Sequence, residues 1–305
     1  MREKEFSNGV FPTMVTPFGS DGKINYRDLS KFIAMLEYKG AAGLFAVCQS
    51  SEMFYLGEEE KLELAAFVKR ESMIDVIASG HTQKGINDQV EAMKAMEQTG
   101  VDAVVLLSNA FAGPDEDDDI FISNLDKFLK LFDSDIPLGI YECPYPYKRL
   151  LSNREFGFIL DSGRFYLMKD TSCDTGIMGS RLSMIGERNF GLYNANAQTV
   201  AFTSLNGAAG YSGTHSNISP LLVNYVMDHP VPANSHEAHI HALLYEFAKF
   251  FMESPYPVTA KIMLERMGIF SGIYSRVRNH ADVTGRDYEK AYDILERINE
   301  FEAGL

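Results

Sequence analysis

Eight short apolar segments, each followed by a longer stretch of mixed polarity, fill the first two thirds of this chain. They lie at residues 10–15, 43–47, 74–78, 103–107, 137–141, 165–168, 190–193 and 208–212. The stretches between them carry a helical period. In residues 25–38, Leu29, Phe32, Ile33 and Leu36 fall on one face, and Gly40 closes the run. Further helices are expected near 58–70, 85–99 (with Val90, Met93 and Met96), 117–132, 153–160, 175–185 and 198–205. Strands separated by helices pair in parallel. Eight such units in about 210 residues predict a closed (β/α)8 TIM barrel. An open doubly wound sheet would place a glycine-rich phosphate turn after its first strand, and Thr16-Pro17-Phe18 stands there instead.

From about residue 217 the pattern is helical only, with expected helices at 221–227, 236–252, 258–267 and 288–301. The segment His229-Pro230-Val231-Pro232-Ala233-Asn234 reads as a connection. The expected division is therefore a barrel over 1–228 and a C-terminal helical extension over 229–305. With 28 Lys+Arg against 42 Asp+Glu, the net charge is −14, which disfavours nucleic acid and anionic membranes as partners. A small anion stays compatible, because a pocket can oppose the global field. The acidic run Asp115-Glu116-Asp117-Asp118-Asp119 stands where a helix should begin, and there it complements the macrodipole. Cys48, Cys143 and Cys173 are odd in number and widely spaced, so they read as reduced thiols of a cytoplasmic protein. No Cys/His cluster suggests a metal, the N-terminus has no apolar stretch of signal-peptide length, and no apolar run of about 18 residues suggests a membrane span.

In a barrel of this kind, chemistry belongs at the C-terminal ends of the strands. Lys169 directly follows the apolar strand Phe165-Tyr166-Leu167-Met168. Burial there would lower its pKa and leave a neutral amine able to attack a carbonyl. A salt bridge to Asp170 or Glu142 is the plainer reading of the same lysine. Tyr141, at the end of the preceding strand, could shuttle a proton or serve as a rim aromatic. Ser50 and Ser51, with the amides of their loop, could hold a carboxylate or be ordinary loop serines. Strand seven ends in Asn194-Ala195-Asn196, and strand eight runs into Ser212-Gly213-Thr214. His81 and Glu52 read as structural, and the three cysteines as packing thiols.

The order of these features is similar to that of the dihydrodipicolinate synthase / N-acetylneuraminate lyase family of pyruvate-dependent class I aldolases. The resemblance runs from Gly9-Val10-Phe11-Pro12-Thr13-Met14-Val15-Thr16-Pro17-Phe18 through the loop ending in Glu52. It continues in Tyr141-x-x-Pro144, Lys169, and the Gly207-Ala208-Ala209-Gly210 turn leading to Asn217 and Pro220. It implies a barrel with a helical extension, assembled as a homotetramer or homodimer. It also implies that Lys169 forms an imine with pyruvate or a similar 2-oxo acid, that Tyr141 moves protons, and that no metal or organic cofactor takes part. Ser50 matches a hydroxyl that binds the 2-oxo acid carboxylate, and Thr171 a threonine close to the aldol product. Thr214 resembles the hydroxyl residue after strand eight in the lyases.

Three departures stand out. Gln49 replaces the first hydroxyl of the strand-two loop, and Ser51 replaces a glycine. Ala110 and Phe111 occupy the positions of a tyrosine pair. Pro146 replaces the arginine that meets a substrate carboxylate, leaving Lys148 and Arg149 as the nearest cations. Gln49, Asn194, Asn196 and Thr214 suggest a neutral polar wall suited to an uncharged aldehyde. The expected activity is carbon–carbon bond formation or cleavage between a 2-oxo acid and an aldehyde, as in a sugar-acid aldolase. The alternatives are 4-hydroxy-tetrahydrodipicolinate synthase and a non-catalytic 2-oxo acid sensor on the same scaffold.

Overall fold

A computed structural model describes residues 6–305. Eight parallel strands form one sheet: β1 (Gly9–Val10), β2 (Gly43–Val47), β3 (Asp75–Ala78), β4 (Ala103–Leu107), β5 (Leu138–Tyr141), β6 (Phe165–Asp170), β7 (Gly191–Asn194) and β8 (Gly210–Tyr211). Their order is β1-β8-β7-β6-β5-β4-β3-β2. The two ends of that order meet. Thr13 bridges Phe45 in parallel, the Phe45 amide donates to the Pro12 carbonyl at 3.0 Å, and the Met14 amide donates to the Phe45 carbonyl at 3.1 Å. The sheet thereby closes into the expected (β/α)8 barrel. β1 is shorter than expected because Pro12 has no amide hydrogen to continue the ladder.

Around the sheet lie α1 (Tyr26–Tyr38), α2 (Glu58–Glu71), α3 (Ile86–Glu97), α4 (Asp118–Leu131), α5 (Asn153–Asp161), α6 (Thr175–Ile185), α7 (Val200–Leu205) and α8 (Pro220–Asp228). Several begin on side chains that satisfy otherwise unpaired amides. Asn25 accepts from Asp28, Asp174 accepts from Ile177, and Ser152 and Glu155 cap α5 reciprocally. The acidic run opens α4, with the Asp117 carboxylate accepting from the Ile120 amide at 3.1 Å.

Side chains fill the barrel, among them Phe11, Phe45, Leu167, Tyr193 and Tyr211, all buried. Two glycines make room for this filling. A Cβ at Gly43 would stand 2.1 Å from the Phe11 ring, and one at Gly139 would stand 2.6 Å from a Leu167 methyl. The strand ends β5 and β6 are thus fixed by a packed interior beneath them.

The extension contributes α9 (Ser235–Glu253), α10 (Val258–Arg266) and α11 (Gly285–Ala303). Its apolar faces join the barrel core. Phe247 and Phe251 pack on His215, with ring centroids 5.3 and 5.7 Å away. Two connecting segments, 254–257 and 274–278, contribute residues to the barrel mouth. Among the described residues, no helix is long and apolar enough to cross a membrane.

Candidate active site

Strand alternation decides what happens to Lys169. Successive side chains on a strand point to opposite faces. Tyr141 and Lys169 are paired across β5 and β6 and turn inward, and their chain neighbours Glu142 and Asp170 turn outward. There Arg181 of α6 collects both carboxylates, bonding Glu142 at 2.5 Å and also Asp170. All three are buried. The two acids that could have neutralised Lys169 are therefore spent on an arginine on the other side of the sheet.

Among the described residues no carboxylate is left to neutralise the lysine. Its Nζ lies 4.0 Å from the centroid of the Tyr141 ring, and the residue is 6% exposed. Burial lowers its pKa to about 8, with Cys48, Cys143 and Cys173 opposing that shift. Burial also pushes the Cys48 thiol up to about 11 and raises Cys143, so neither supplies a thiolate at neutral pH. Burial raises the Tyr141 phenol well above its usual range, so it is a protonated donor in the free site. A depressed amine beside a neutral phenol can attack a carbonyl and hand over the proton that the addition requires.

A cavity of about 560 Å³ opens over this pair. Of the residues singled out from sequence, Gln49, Ser50, Thr171 and Thr214 line it with Tyr141 and Lys169. Ser50 Oγ donates to Thr13 Oγ1 at 3.3 Å, and Thr171 Oγ1 donates to the Glu142 carbonyl at 2.7 Å. Ser51, Asn196 and Ser212 do not line it. Ser51 Oγ is consumed within its own turn, accepting from the Cys48 amide at 2.8 Å and donating to the Cys48 carbonyl at 2.7 Å. Asn196 caps the turn at 197–199, accepting from the Thr199 amide at 3.1 Å. Ser212 is buried, and its Oγ has no hydrogen-bond partner among the described residues. Asn194 is likewise absent from the lining and donates to Thr199 and Thr203 at 3.0 and 3.1 Å. The expected neutral wall thus shrinks to Gln49 and Thr214. His81 is structural, its Nε2 accepting from the Leu107 amide at 2.7 Å. Among the described residues, no three His, Cys, Asp or Glu side chains converge as a metal cage.

Sequence reasoning missed the contribution of the extension. Tyr256, Pro257, Val277 and Arg278 all line the cavity. The Tyr256 hydroxyl accepts from Asn217 Nδ2 at 3.5 Å. Two prolines around Tyr256, breaking the helical period, were the available signal. Arg149 is not free to enter. Its guanidinium donates to the carbonyls of Gly113 and Glu116 at 3.0 and 2.9 Å, and it bonds Glu155 at 2.5 Å. Lys148 does not line the cavity either.

Residues 6–296 match the model of the dihydrodipicolinate synthetase family. This chain belongs to the dihydrodipicolinate synthetase family. Among relatives of the family, the 4-hydroxy-tetrahydrodipicolinate synthase of Methanothrix thermoacetophila is 22% identical over 269 residues, covering 87% of this chain and 88% of that protein. The Bacillus subtilis protein of the same name is 23% identical over 274 residues, covering 86% and 90%. The fold matches a Thermotoga maritima dihydrodipicolinate synthase with a TM-score of 0.83 at 16% identity, covering 96% and 98%. It also matches Clostridium difficile CdNal, solved in complex with mannosamine, with a TM-score of 0.82 at 18% identity, covering 95% and 98%. For a dihydrodipicolinate synthetase family chain, the position of Phe111 is notable. Its ring is buried 6.0 and 5.6 Å from those of Phe121 and Phe128, and it supplies no hydroxyl.

Proposed function

We propose that this family member is a class I aldolase or lyase that makes or cleaves a carbon–carbon bond between pyruvate, or a similar 2-oxo acid, and an aldehyde. The observation that carries this reading is Lys169 at the cavity floor, its amine 4.0 Å from the Tyr141 ring and its neighbouring carboxylates taken by Arg181. The neutral amine adds to the keto carbon. Tyr141 relays protons while the carbinolamine loses water to give the protonated imine. That imine draws electrons from C3, so loss of a C3 proton gives an enamine that attacks the aldehyde carbon. Hydrolysis then releases product and the free amine. Cleavage is the reverse.

In this scheme Ser50 receives the 2-oxo acid carboxylate, and Gln49, Thr171 and Thr214 line the remaining wall. Ser51 and Asn196 serve the scaffold. The electron sink is the covalent imine, so neither metal nor organic cofactor is required. The names of the sequence relatives favour 4-hydroxy-tetrahydrodipicolinate synthase as a second reading. Pro146, where the family resemblance leads one to expect a carboxylate-binding arginine, weighs against it. We further propose assembly as a homotetramer or homodimer and residence in the cytoplasm, the latter supported by three unpaired cysteines.

The test is pyruvate consumption by the purified chain with a panel of aldehydes, including aspartate semialdehyde. Turnover confined to aspartate semialdehyde selects the synthase. Turnover with other aldehydes supports the broader aldolase reading. Pyruvate binding without turnover for any aldehyde would replace both with the 2-oxo acid sensor.

A further inference from the structure

We infer that Arg278 is the receptor for an anionic group at the far end of the aldehyde, or of the aldol being cleaved. The second substrate is then an anion, not a neutral sugar aldehyde. The inference rests on the aldolase reading above and names the substrate class of that same site.

The cavity's charge balance is the first ground. Its lining contains two cations, Lys169 and Arg278, and one carboxylate, Glu52. Glu52 is fully engaged elsewhere. It accepts from Lys261 Nζ at 2.5 Å, from Ser275 Oγ at 3.0 Å, and from the amides of Arg276 and Val277 at 2.6 and 3.1 Å. A chain of net charge −14 thus keeps a cavity whose unspent charge is positive. Such a pocket concentrates anions against the global field.

Arg278 is also unspent, unlike Arg149, Arg181 and Arg276 around the barrel mouth. Arg149 and Arg181 are paired as described. Arg276 bonds Glu60 at 2.6 Å and the carbonyls of Gly22 and Tyr55 at 2.7 and 3.0 Å. Among the described residues, the Arg278 guanidinium makes no ion pair or hydrogen bond. Its backbone is nevertheless fixed. The Arg278 amide donates to Ser275 Oγ at 3.2 Å, and the Tyr274 carbonyl accepts from Lys261 Nζ at 2.6 Å. The anchor of this strap, Glu52, ends the same loop that presents Gln49 and Ser50. The backbone of Arg278 is therefore held at a set place relative to the substrate groups, and its guanidinium is left unpaired.

Depth separates its role from that of Ser50. The 2-oxo acid carboxylate is attached to the carbon that bonds Lys169, so it stays on the buried floor. Arg278 is exposed at the rim. A cavity of about 560 Å³ corresponds to a sphere roughly 10 Å across, so the rim meets the remote end of a longer molecule. Arginine is suited to that end because its planar fork binds carboxylate or phosphate through paired hydrogen bonds.

The experiment uses the purified full chain, pyruvate and matched aldehydes. Succinic semialdehyde is compared with butanal, and glyceraldehyde 3-phosphate with glyceraldehyde, for the parent, Arg278→Gln and Arg278→Lys. The expected result is a kcat/KM about 10- to 100-fold higher for at least one charged member of a pair. Arg278→Gln should erase that preference through the aldehyde KM, and Arg278→Lys should restore part of it. The pair showing the larger preference tells carboxylate from phosphate. Equal rates within both pairs, no turnover of either charged aldehyde, or a preference that survives Arg278→Gln overturns the inference. It is also overturned if Arg278→Gln raises the pyruvate concentration needed for borohydride trapping but leaves aldehyde preference intact, since Arg278 would then hold the 2-oxo acid itself. Trapping of pyruvate on the parent enzyme keeps the two levels apart. Trapping without charge preference removes only this inference, and no trapping removes the aldolase reading with it.

Discussion

Replacing Lys169 by methionine should make the protein more stable while removing its chemistry. Burial holds the amine near 8 against an ordinary lysine value of 10.5. The unfolded chain therefore binds the proton more tightly than the folded one. Folding carries a penalty that is complete below pH 8 and fades as pH rises through 10.5. The interval between the two values corresponds to on the order of 3 kcal/mol at neutral pH. A methionine fills a similar volume without an ammonium to desolvate, so Lys169→Met should recover up to about that amount at pH 7. The gain should shrink by about 2 kcal/mol between pH 7 and pH 9.5. Urea unfolding at matched protein concentration, at both pH values, measures it. A variant no more stable than the parent at pH 7, or a gain independent of pH, would refute the view that Lys169 is a desolvated amine without a carboxylate partner.

Other consequences follow from the same geometry. The rate of imine formation with pyruvate should rise about tenfold from pH 6 to pH 7 and level off above pH 8, since the neutral fraction of an amine with that pKa is about a tenth at pH 7; continued increase to pH 10 in stopped-flow or quench measurements would contradict the lowered pKa. Tyr141→Phe should reduce turnover by about 100-fold or more while the fold is retained by circular dichroism, and a kcat within twofold of the parent would remove Tyr141 as the proton carrier. Arg181→Leu should destabilise the chain by roughly 3–5 kcal/mol, because Glu142 and Asp170 would be left buried without a counter-charge; an unfolding midpoint unchanged from the parent would show that the cluster is not holding the strand ends.

The barrel was legible because its signal is local and repeated. Each strand is a short apolar run, each helix has its own period and cap, and parallel closure follows from their alternation. Lys169 and Tyr141 were legible for the same reason, as polar residues ending adjacent apolar strands. Ser51 and Asn196 were misplaced by their chemistry. A short polar side chain after a strand suits a ligand, and it suits a turn or helix cap equally well. The spacing from Asn196 to Thr199 is the capping one and could have told the two apart. Tyr256 was marked only by its flanking prolines, and Arg278 was not legible. Arg278 reaches the mouth through the strap at 274–278 and the Glu52–Lys261 ion pair that anchors it, a contact between residues 209 positions apart. No periodicity in either partner announces such a pairing.

Incubation of the parent protein with pyruvate, reduction by borohydride and peptide mass analysis should place the reduced pyruvate adduct on the peptide containing Lys169. The same treatment of Lys169→Met should give no adduct there. An adduct on another lysine, or none with pyruvate or other small 2-oxo acids, would contradict the assignment of Lys169 as the imine-forming residue.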